Sequence, residues 1–115
     1  MLTFKQRIRL GSDYKSILRR GQRYYTDSSI LFVKKNSDTT LASRVGFITS
    51  KKVGNAVIRN RLRRKFREYV RINITRFQPG FDLVFVISKN AAEKDTYQLI
   101  QEIKKQLQRS GVVLD

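Results

Sequence analysis

The segment FDLVFVIS, residues 81–88, constrains the fold most, because it predicts a β-strand that is apolar on both faces. Side chains alternate between the two faces of a strand, which here carry Phe81, Leu83, Phe85 and Ile87 on one side and Val84 and Val86 on the other. A strand of this kind is buried on both sides. We therefore expect residues 81–88 to form a central strand of a sheet.

The first half of the chain predicts one helix and three strands. A short helix over residues 13–20 has Ser12 as a candidate N-cap and Gly21 as its stop, with Tyr14, Ile17 and Leu18 on one side. The alternation in SSILFVKK, residues 28–35, indicates a strand, and Tyr24 and Tyr25 begin a shorter strand paired with it. RVGFITS, residues 44–50, is the next strand.

The second half adds two helices around the central strand. One starts near Asn55 as its cap and ends between residues 72 and 75. The other is capped by Asp95 or Thr96, and its apolar stripe consists of Leu99, Ile100, Ile103 and Leu107. The order α-β-β-β-α-β-α predicts a two-layer α+β sandwich in a single domain that spans residues 1–115.

The helix that starts near Asn55 belongs to a strongly basic segment. Residues 51–71 contain nine Lys and Arg residues and one acid, Glu68. Ile58, Leu62, Phe66 and Tyr69 share one helical face, with Val70 and Ile72 at its edges. The opposite side carries Asn60, Arg63, Arg64, Arg67 and Arg71, flanked by Arg59 and Arg61. Like charges at i and i+4 repel, and a helix that needed only solubility would not require them. The pattern therefore favours a phosphate-binding face over a merely solvated one.

The whole chain is also basic. It has 25 Lys and Arg residues against 9 acids, a net charge of +16, whose self-repulsion favours a polyanionic partner. Nucleic acid is the favoured partner, and an anionic membrane surface or a solvated protein without a polyanion are the alternatives. No apolar run approaches the ~20 residues of a membrane span, and Lys5, Arg7 and Arg9 interrupt any signal-peptide core. We expect a soluble cytoplasmic protein.

Residues 44–70, RVGFITSKKVGNAVIRNRLRRKFREYV, closely resemble the protein subunit of bacterial ribonuclease P. The family's signature helix has Arg-Asn-Arg followed by further basic residues and Arg-Glu, as at residues 59–68 here. The resemblance also covers RIRLGSDYKSILRRG, residues 7–21, and FDLVFVISKNAA, residues 81–92. It implies a four-stranded sheet with a left-handed β-α-β crossover, like the second domain of ribosomal protein S-five. Most β-α-β crossovers are right-handed, so that sequence patterning alone would predict the opposite hand.

The resemblance further implies partners and site residues. A catalytic RNA, using Mg²⁺, removes the 5′ leader of precursor tRNA, and the protein binds that RNA and the single-stranded leader; no membrane and no obligate protein partner are expected. The implied RNA-binding residues are Ser50, Lys51, Lys52, Asn55, Arg59, Asn60, Arg61, Arg63, Arg64, Arg67 and Arg71. The implied leader cleft is lined by Tyr14, Leu18, Phe32, Arg63 and Arg67, and Leu18 departs from the aromatic residue frequent in the family. Tyr24 or Tyr25 is a candidate replacement for that aromatic residue.

The residues themselves predict no active site and no metal site in this chain. His and Cys are absent, and Glu68 is the only acid between Asp38 and Asp82, whereas two-metal hydrolysis needs clustered carboxylates. An independent nuclease is therefore disfavoured. A helix-turn-helix DNA-binding protein is disfavoured because a strand follows the basic helix. A ribosomal RNA-binding protein fits the charge equally well, and only the motif at residues 44–70 separates it from a ribonuclease P subunit.

Overall fold

The computed structural model describes residues 2–114, and of Phe4 it describes the backbone only. The main elements follow the predicted order, and the bounds of most lie within one or two residues of the prediction. The helices are α1, Gly11–Arg20; α2, Ala56–Asn73; and α3, Thr96–Ser110. The strands are β1, Gln22–Tyr25; β2, Ser29–Lys35; β3, Arg44–Thr49; and β4, Phe81–Ile87.

The four strands form one mixed sheet in the order β1-β2-β4-β3. β2 is antiparallel to both β1 and β4, whereas β3 runs parallel to β4. The apolar segment at residues 81–88 therefore supplies a central strand, as predicted. The parallel pair β3 and β4 is connected through α2, and the left hand of this crossover stays a prediction from the resemblance.

Helices lie on both faces of the sheet. Leu62 and Phe66 of α2 pack with Leu99 of α3 against Leu83 and Phe85 of β4, and all five are at most 1% exposed. On the opposite face, Ile17 of α1 packs against Phe32 and Val84 in a second, smaller apolar cluster. The α+β class is confirmed, with α2 and α3 forming the main helical layer and α1 covering part of the other face.

Two details of the helices differ from the sequence prediction. Ser12 is not the N-cap of α1, because the helix already begins at Gly11 and Leu10 occupies the cap position without a side-chain hydrogen bond. The first turn is held instead by Asp13, which pairs with Arg44 of β3 at 3.2 Å. In α2, Ile72 does not border the buried face: it is 61% exposed, whereas Val70 is fully buried. The helix thus turns Val70 towards the sheet more directly than predicted.

Helix α3 is joined to the β1–β2 hairpin by buried polar groups. The Gln106 side chain is fully buried, and its Nε2 donates to the carbonyl oxygens of Tyr24 at 2.9 Å and Ser29 at 3.1 Å. Its Oε1 accepts a hydrogen bond from Ser29 Oγ at 3.2 Å. One turn earlier, Glu102 accepts from the backbone N–H of Ser28 at 3.1 Å. These bonds fix the hairpin on α3, because buried polar groups must be paired.

Replacing Gln106 by Leu is expected to destabilise the fold by about 1–3 kcal/mol, because it removes three hydrogen bonds of a buried side chain and leaves the Ser29 hydroxyl without its acceptor. Chemical denaturation monitored by circular dichroism measures the change. Gln101→Leu is the matched control, because Gln101 lies on the same helix at a half-buried position. Equal stability of the two variants would show that the Gln106 hydrogen bonds do not hold the hairpin.

Candidate nucleic-acid interface

The start of α2 is fixed by Gly54 and Asn55. Asn55 caps the helix, as predicted, because its side-chain oxygen accepts from the backbone N–H of Ile58 at 3.0 Å. Gly54 has φ of +153°, a backbone conformation that residues other than glycine rarely adopt. A Cβ at this position would lie 3.0 Å from the Ile58 side chain. A short turn at Lys51–Val53 precedes it, with Val53 buried and both lysines exposed.

Most of the predicted RNA-binding side chains are exposed, four of them on α2 and four in the segment just before it. Leu62, Phe66 and Val70 bury the opposite side of the helix. The exposed members of the predicted set are Ser50, Lys51, Lys52, Asn55, Asn60, Arg61, Arg64 and Arg67. Arg59, Arg63 and Arg71 are half-buried. The basic face predicted from helical periodicity is therefore present on the folded protein.

Three members of this set have local constraints. Arg71 forms an ion pair with Glu68, and its Nε donates to the Glu68 carboxylate at 3.1 Å. The hydrogen bond from Arg71 lowers the pKa of Glu68. Arg63 donates to the side-chain oxygen of Asn60, which leaves its charge uncompensated. The Nε of Arg59 is buried without a hydrogen-bond partner among the described residues.

A recess of about 260 Å³ lies between α2, the outer edge of β3 and the segment that precedes α1. Arg63 and Arg67 of α2 line one side, and Tyr14 of α1 lines the other. Further lining residues are Leu2, Arg7, Ile8, Arg9, Val45, Gly46 and Phe47. No carboxylate lines the recess, so its charge is uniformly positive at neutral pH. Such a cavity suits a phosphate group beside a base or ribose.

Tyr14 is held in this recess by the backbone of its neighbours. Its ring lies over Gly46, where any side chain would collide with it. Its hydroxyl donates to the carbonyl oxygen of Ile8 at 3.1 Å. Burial raises the pKa of Tyr14, and the backbone N–H of Phe47 and the charge of Arg67 oppose that rise. The phenol is therefore neutral at physiological pH and acts as a hydrogen-bonding aromatic wall.

Comparison with known proteins identifies the family. A family model described as Ribonuclease P matches residues 2–111. The chain belongs to the ribonuclease P protein family. It is 37% identical over 108 residues to the ribonuclease P protein component of Clostridium novyi, covering 93% of this chain and 95% of that protein. It is 40% identical over 93 residues to the component of Finegoldia magna, covering 81% and 80%.

Solved structures of the family share the fold. The ribonuclease P protein of Thermotoga maritima superimposes with a TM-score of 0.79 at 29% identity, covering 90% of this chain and 96% of that one. The protein of Staphylococcus aureus superimposes with a TM-score of 0.85, covering 94% and 97%, and at 24% identity this likeness concerns the fold alone.

The structure brings only part of the implied leader cleft together. Tyr14, Arg63 and Arg67 line one recess, as the family resemblance implies. Phe32 does not: it is 7% exposed, buried in the cluster beneath α1, with the Arg23 guanidinium 5.2 Å from its ring centroid. Leu18 packs against the same cluster and is half-buried. Phe32 is thus placed as a core residue.

Beside α1, the same face of the sheet carries a row of partly exposed apolar side chains. Tyr25 pairs with Ile30, Ile30 with Val86, and Val86 with Ile48, so that these four side chains cross all four strands on one face. Tyr25 is 57% exposed, whereas Tyr24 packs against the main core on the other face. Of the two tyrosines considered as replacements for the missing aromatic at position 18, Tyr25 therefore has the accessible position.

Sequence reasoning missed the N-terminal segment and Phe47. The backbone N–H of Ile8 donates to the carbonyl oxygen of Val45 at 3.1 Å, which adds the segment to the free edge of β3. The apolar Ile8 between Arg7 and Arg9 is a strand-like alternation that could have indicated this. Phe47 stacks on Phe85 at 5.8 Å and also reaches the recess, a dual position that periodicity does not show.

The described residues supply neither a metal cage nor a membrane-spanning helix. Within residues 2–114, no three Asp, Glu, His or Cys side chains are close enough to hold a metal ion. Among the helices of the same range, none combines the length and apolar character needed to cross a bilayer. The Mg²⁺ implied by the family resemblance has no fitting ligand set on these residues.

Arg67 lines the recess, whereas Arg71 is paired with Glu68, so we expect the two arginines to contribute differently to RNA binding. Arg67→Ala should reduce the slope of log Kd against log salt by roughly 0.7–0.9, as expected for one lost phosphate contact. Arg71→Ala should change it less, because Glu68 already compensates the Arg71 charge. Filter binding to the catalytic RNA and to leader-bearing precursor tRNA over a salt series measures both slopes. An unchanged slope for Arg67→Ala would assign that residue to an ordinary solvated face.

Proposed function

We propose that this chain is the protein component of a ribonuclease P ribonucleoprotein, which binds the catalytic RNA and the single-stranded 5′ leader of precursor tRNA. The observation that carries the proposal is the recess in which Arg63 and Arg67 face Tyr14 and Phe47. Guanidinium groups bind phosphates, and aromatic faces stack on unpaired bases without sequence preference. A binding mode of this kind does not depend on the sequence of the leader.

The two sides of α2 suggest a division of RNA contacts. Arg63 and Arg67 face the recess and would contact leader phosphates. Arg59, Asn60, Arg61 and Arg64, with Ser50, Lys51, Lys52 and Asn55 before the helix, would mainly contact the catalytic RNA. Arg71 is a weaker candidate because Glu68 pairs with it. The apolar row that runs from Ile48 on β3 to Tyr25 on β1 would support bases along the face of the sheet beside α1.

The contribution of this chain to cleavage is positioning and electrostatic stabilisation. Mg²⁺ would supply the activated water and stabilise the leaving oxygen when bound, and we propose that the catalytic RNA and the substrate hold it. The arginines would reduce the repulsion between two polyanions and fix the leader relative to the RNA active site. The isolated chain is therefore proposed to be inactive. We also propose that the ribonucleoprotein is cytoplasmic and needs no further protein.

Reconstitution with the matching catalytic RNA tests this function. The chain alone should not cleave precursor tRNA, and adding it to the RNA should lower the Mg²⁺ concentration required for cleavage. Affinity for leader-bearing substrate should exceed that for mature tRNA by on the order of 25-fold at 0.1 M salt, if two leader phosphates each contribute about fivefold. Equal stimulation with and without a leader would remove the leader assignment. No stimulation at all would favour a plain RNA-binding protein.

A further inference from the structure

A second basic recess lies on the other side of the N-terminal segment. It has a volume of about 320 Å³ and is lined by Lys5, Arg7, Arg9, Leu41, Ala42 and Arg44. Arg7 and Arg9 also line the recess beside α2, so that the two cavities share these residues and lie next to each other along the outer edge of β3. We call residues 5–9 the N-terminal arm.

The arm is fixed to the folded protein by apolar contacts and a backbone hydrogen bond. Leu2, which lies just before the arm, is 2% exposed, and Ile8 within it is 4% exposed, so that the chain is buried on both sides of Lys5 and Arg7. Between them the chain makes a short turn at Phe4–Gln6, and Ile8 is bonded to Val45 of β3. The backbone that carries its basic side chains is therefore held in position before any ligand binds, which reduces the entropy lost on binding.

The charges of the second recess point to a phosphate ligand. Lys5 and Arg7 are exposed, and neither forms an ion pair with a carboxylate among residues 2–114. Arg44 differs from them, since its Nε and one terminal nitrogen each donate to the buried Asp82 carboxylate at 2.9 Å. Leu41, which is 50% exposed, provides an apolar surface beside the charges. These two cations and the apolar surface match one nucleotide: the phosphate would lie on Lys5 and Arg7, and the base or ribose on Leu41.

We infer that the N-terminal arm continues the leader path: nucleotides of the leader beyond those in the recess beside α2 cross Arg7 and occupy the second recess, with Lys5 and Arg7 on their phosphates. This inference rests on the proposed function, because it assigns the second recess to the same strand. The second recess is the one farther from the basic face of α2, which would contact the catalytic RNA. It therefore receives the part of the leader farther from the cleavage site.

The experiment measures the affinity of the reconstituted ribonucleoprotein for precursor tRNAs whose leaders are lengthened one nucleotide at a time. Single-turnover cleavage over a range of ribonucleoprotein concentrations gives the apparent Kd. Lys5→Ala/Arg7→Ala is compared with Lys89→Ala/Lys105→Ala, which removes two exposed lysines outside both recesses and changes the net charge of +16 by the same amount.

For the unchanged chain and the control variant, affinity should rise with leader length to the same plateau. Lys5→Ala/Arg7→Ala should reach its plateau at a shorter leader. For the longest leader it should lose on the order of 25-fold in affinity at 0.1 M salt, and its slope of log Kd against log salt should be smaller by about 1.4. Lys5→Met/Arg7→Met, which keeps apolar stems in place, should give the same result if the Ala variant does not fold. A thermal melt establishes which variants are folded.

The contrary outcomes are separate from a failure of the proposed function. Equal plateaus for the arm variant and its control would overturn the inference while leader binding beside α2 stands. An equal loss for leader-bearing and mature tRNA would also overturn it, since the arm would then contact RNA other than the leader. Absence of any leader dependence in the unchanged chain would instead overturn the proposed function.

Discussion

Replacing Phe66 by Ala is expected to lower the free energy of unfolding by about 3–5 kcal/mol, because the substitution removes a fully buried aromatic ring and leaves a cavity. Phe66 packs edge-on against Phe85 with ring centroids 5.7 Å apart. Phe85 lies on the central strand and also stacks on Phe47, with ring planes 8° apart. Loss of Phe66 therefore loosens the contact between α2 and the sheet where the recess is built.

Urea denaturation with a fluorescence or circular dichroism signal measures this change. Val57→Ala is the matched control, because Val57 lies on the same helix but is 76% exposed, and its effect should stay within about 0.5 kcal/mol. Phe66→Leu should fall between the two variants, since it fills part of the cavity. A change below about 1 kcal/mol for Phe66→Ala would mean that α2 does not bury this face.

The buried side of α2 and the central strand could be predicted because both depend on local periodicity. The 3.6-residue repeat of Leu62, Phe66 and Val70 fixes which side of the helix is buried, and β4 has apolar residues on both faces. The start of α1 could not be predicted in the same way. Its first turn is held by the ion pair of Asp13 with Arg44, a residue on another element, and Ser12 offered only a local alternative.

The candidate site was predictable to the extent that it lies on one helix. The positions of Arg63 and Arg67 follow from helical spacing, and so does the pairing of Arg71 with Glu68, because residues three apart on a helix are neighbours. The placement of Phe32 depends on how α1 crosses the sheet. The position of the arm depends on pairing with the edge of β3, more than thirty residues away. Such non-local contacts have no periodic signature in the sequence.

Reversing the charge of both recess arginines, with Arg63→Glu/Arg67→Glu, is expected to weaken binding of leader-bearing precursor tRNA by on the order of 100-fold or more at 0.1 M salt. Two lost phosphate contacts account for about 25-fold, and repulsion between the new carboxylates and the leader adds to the loss. The free energy of unfolding should not fall along with the affinity for precursor tRNA. The reversal places opposite charges at i and i+4 for Arg59 with position 63 and for position 67 with Arg71, whereas positions 63 and 67 stay alike in charge, and it should raise the free energy of unfolding by a few tenths of a kcal/mol.

Binding of the reconstituted ribonucleoprotein and denaturation of the isolated chain, measured on the same variant, separate the two effects. Lys104→Glu/Lys105→Glu is the control, because both lysines are exposed on α3, outside the recess, and the change in net charge is identical. This control should reduce affinity only slightly, through the long-range field of the protein. If both variants weaken binding equally, net charge rather than the recess governs the interaction. If the reversal destabilises the fold instead, Arg63 and Arg67 hold the structure and do not act primarily on RNA.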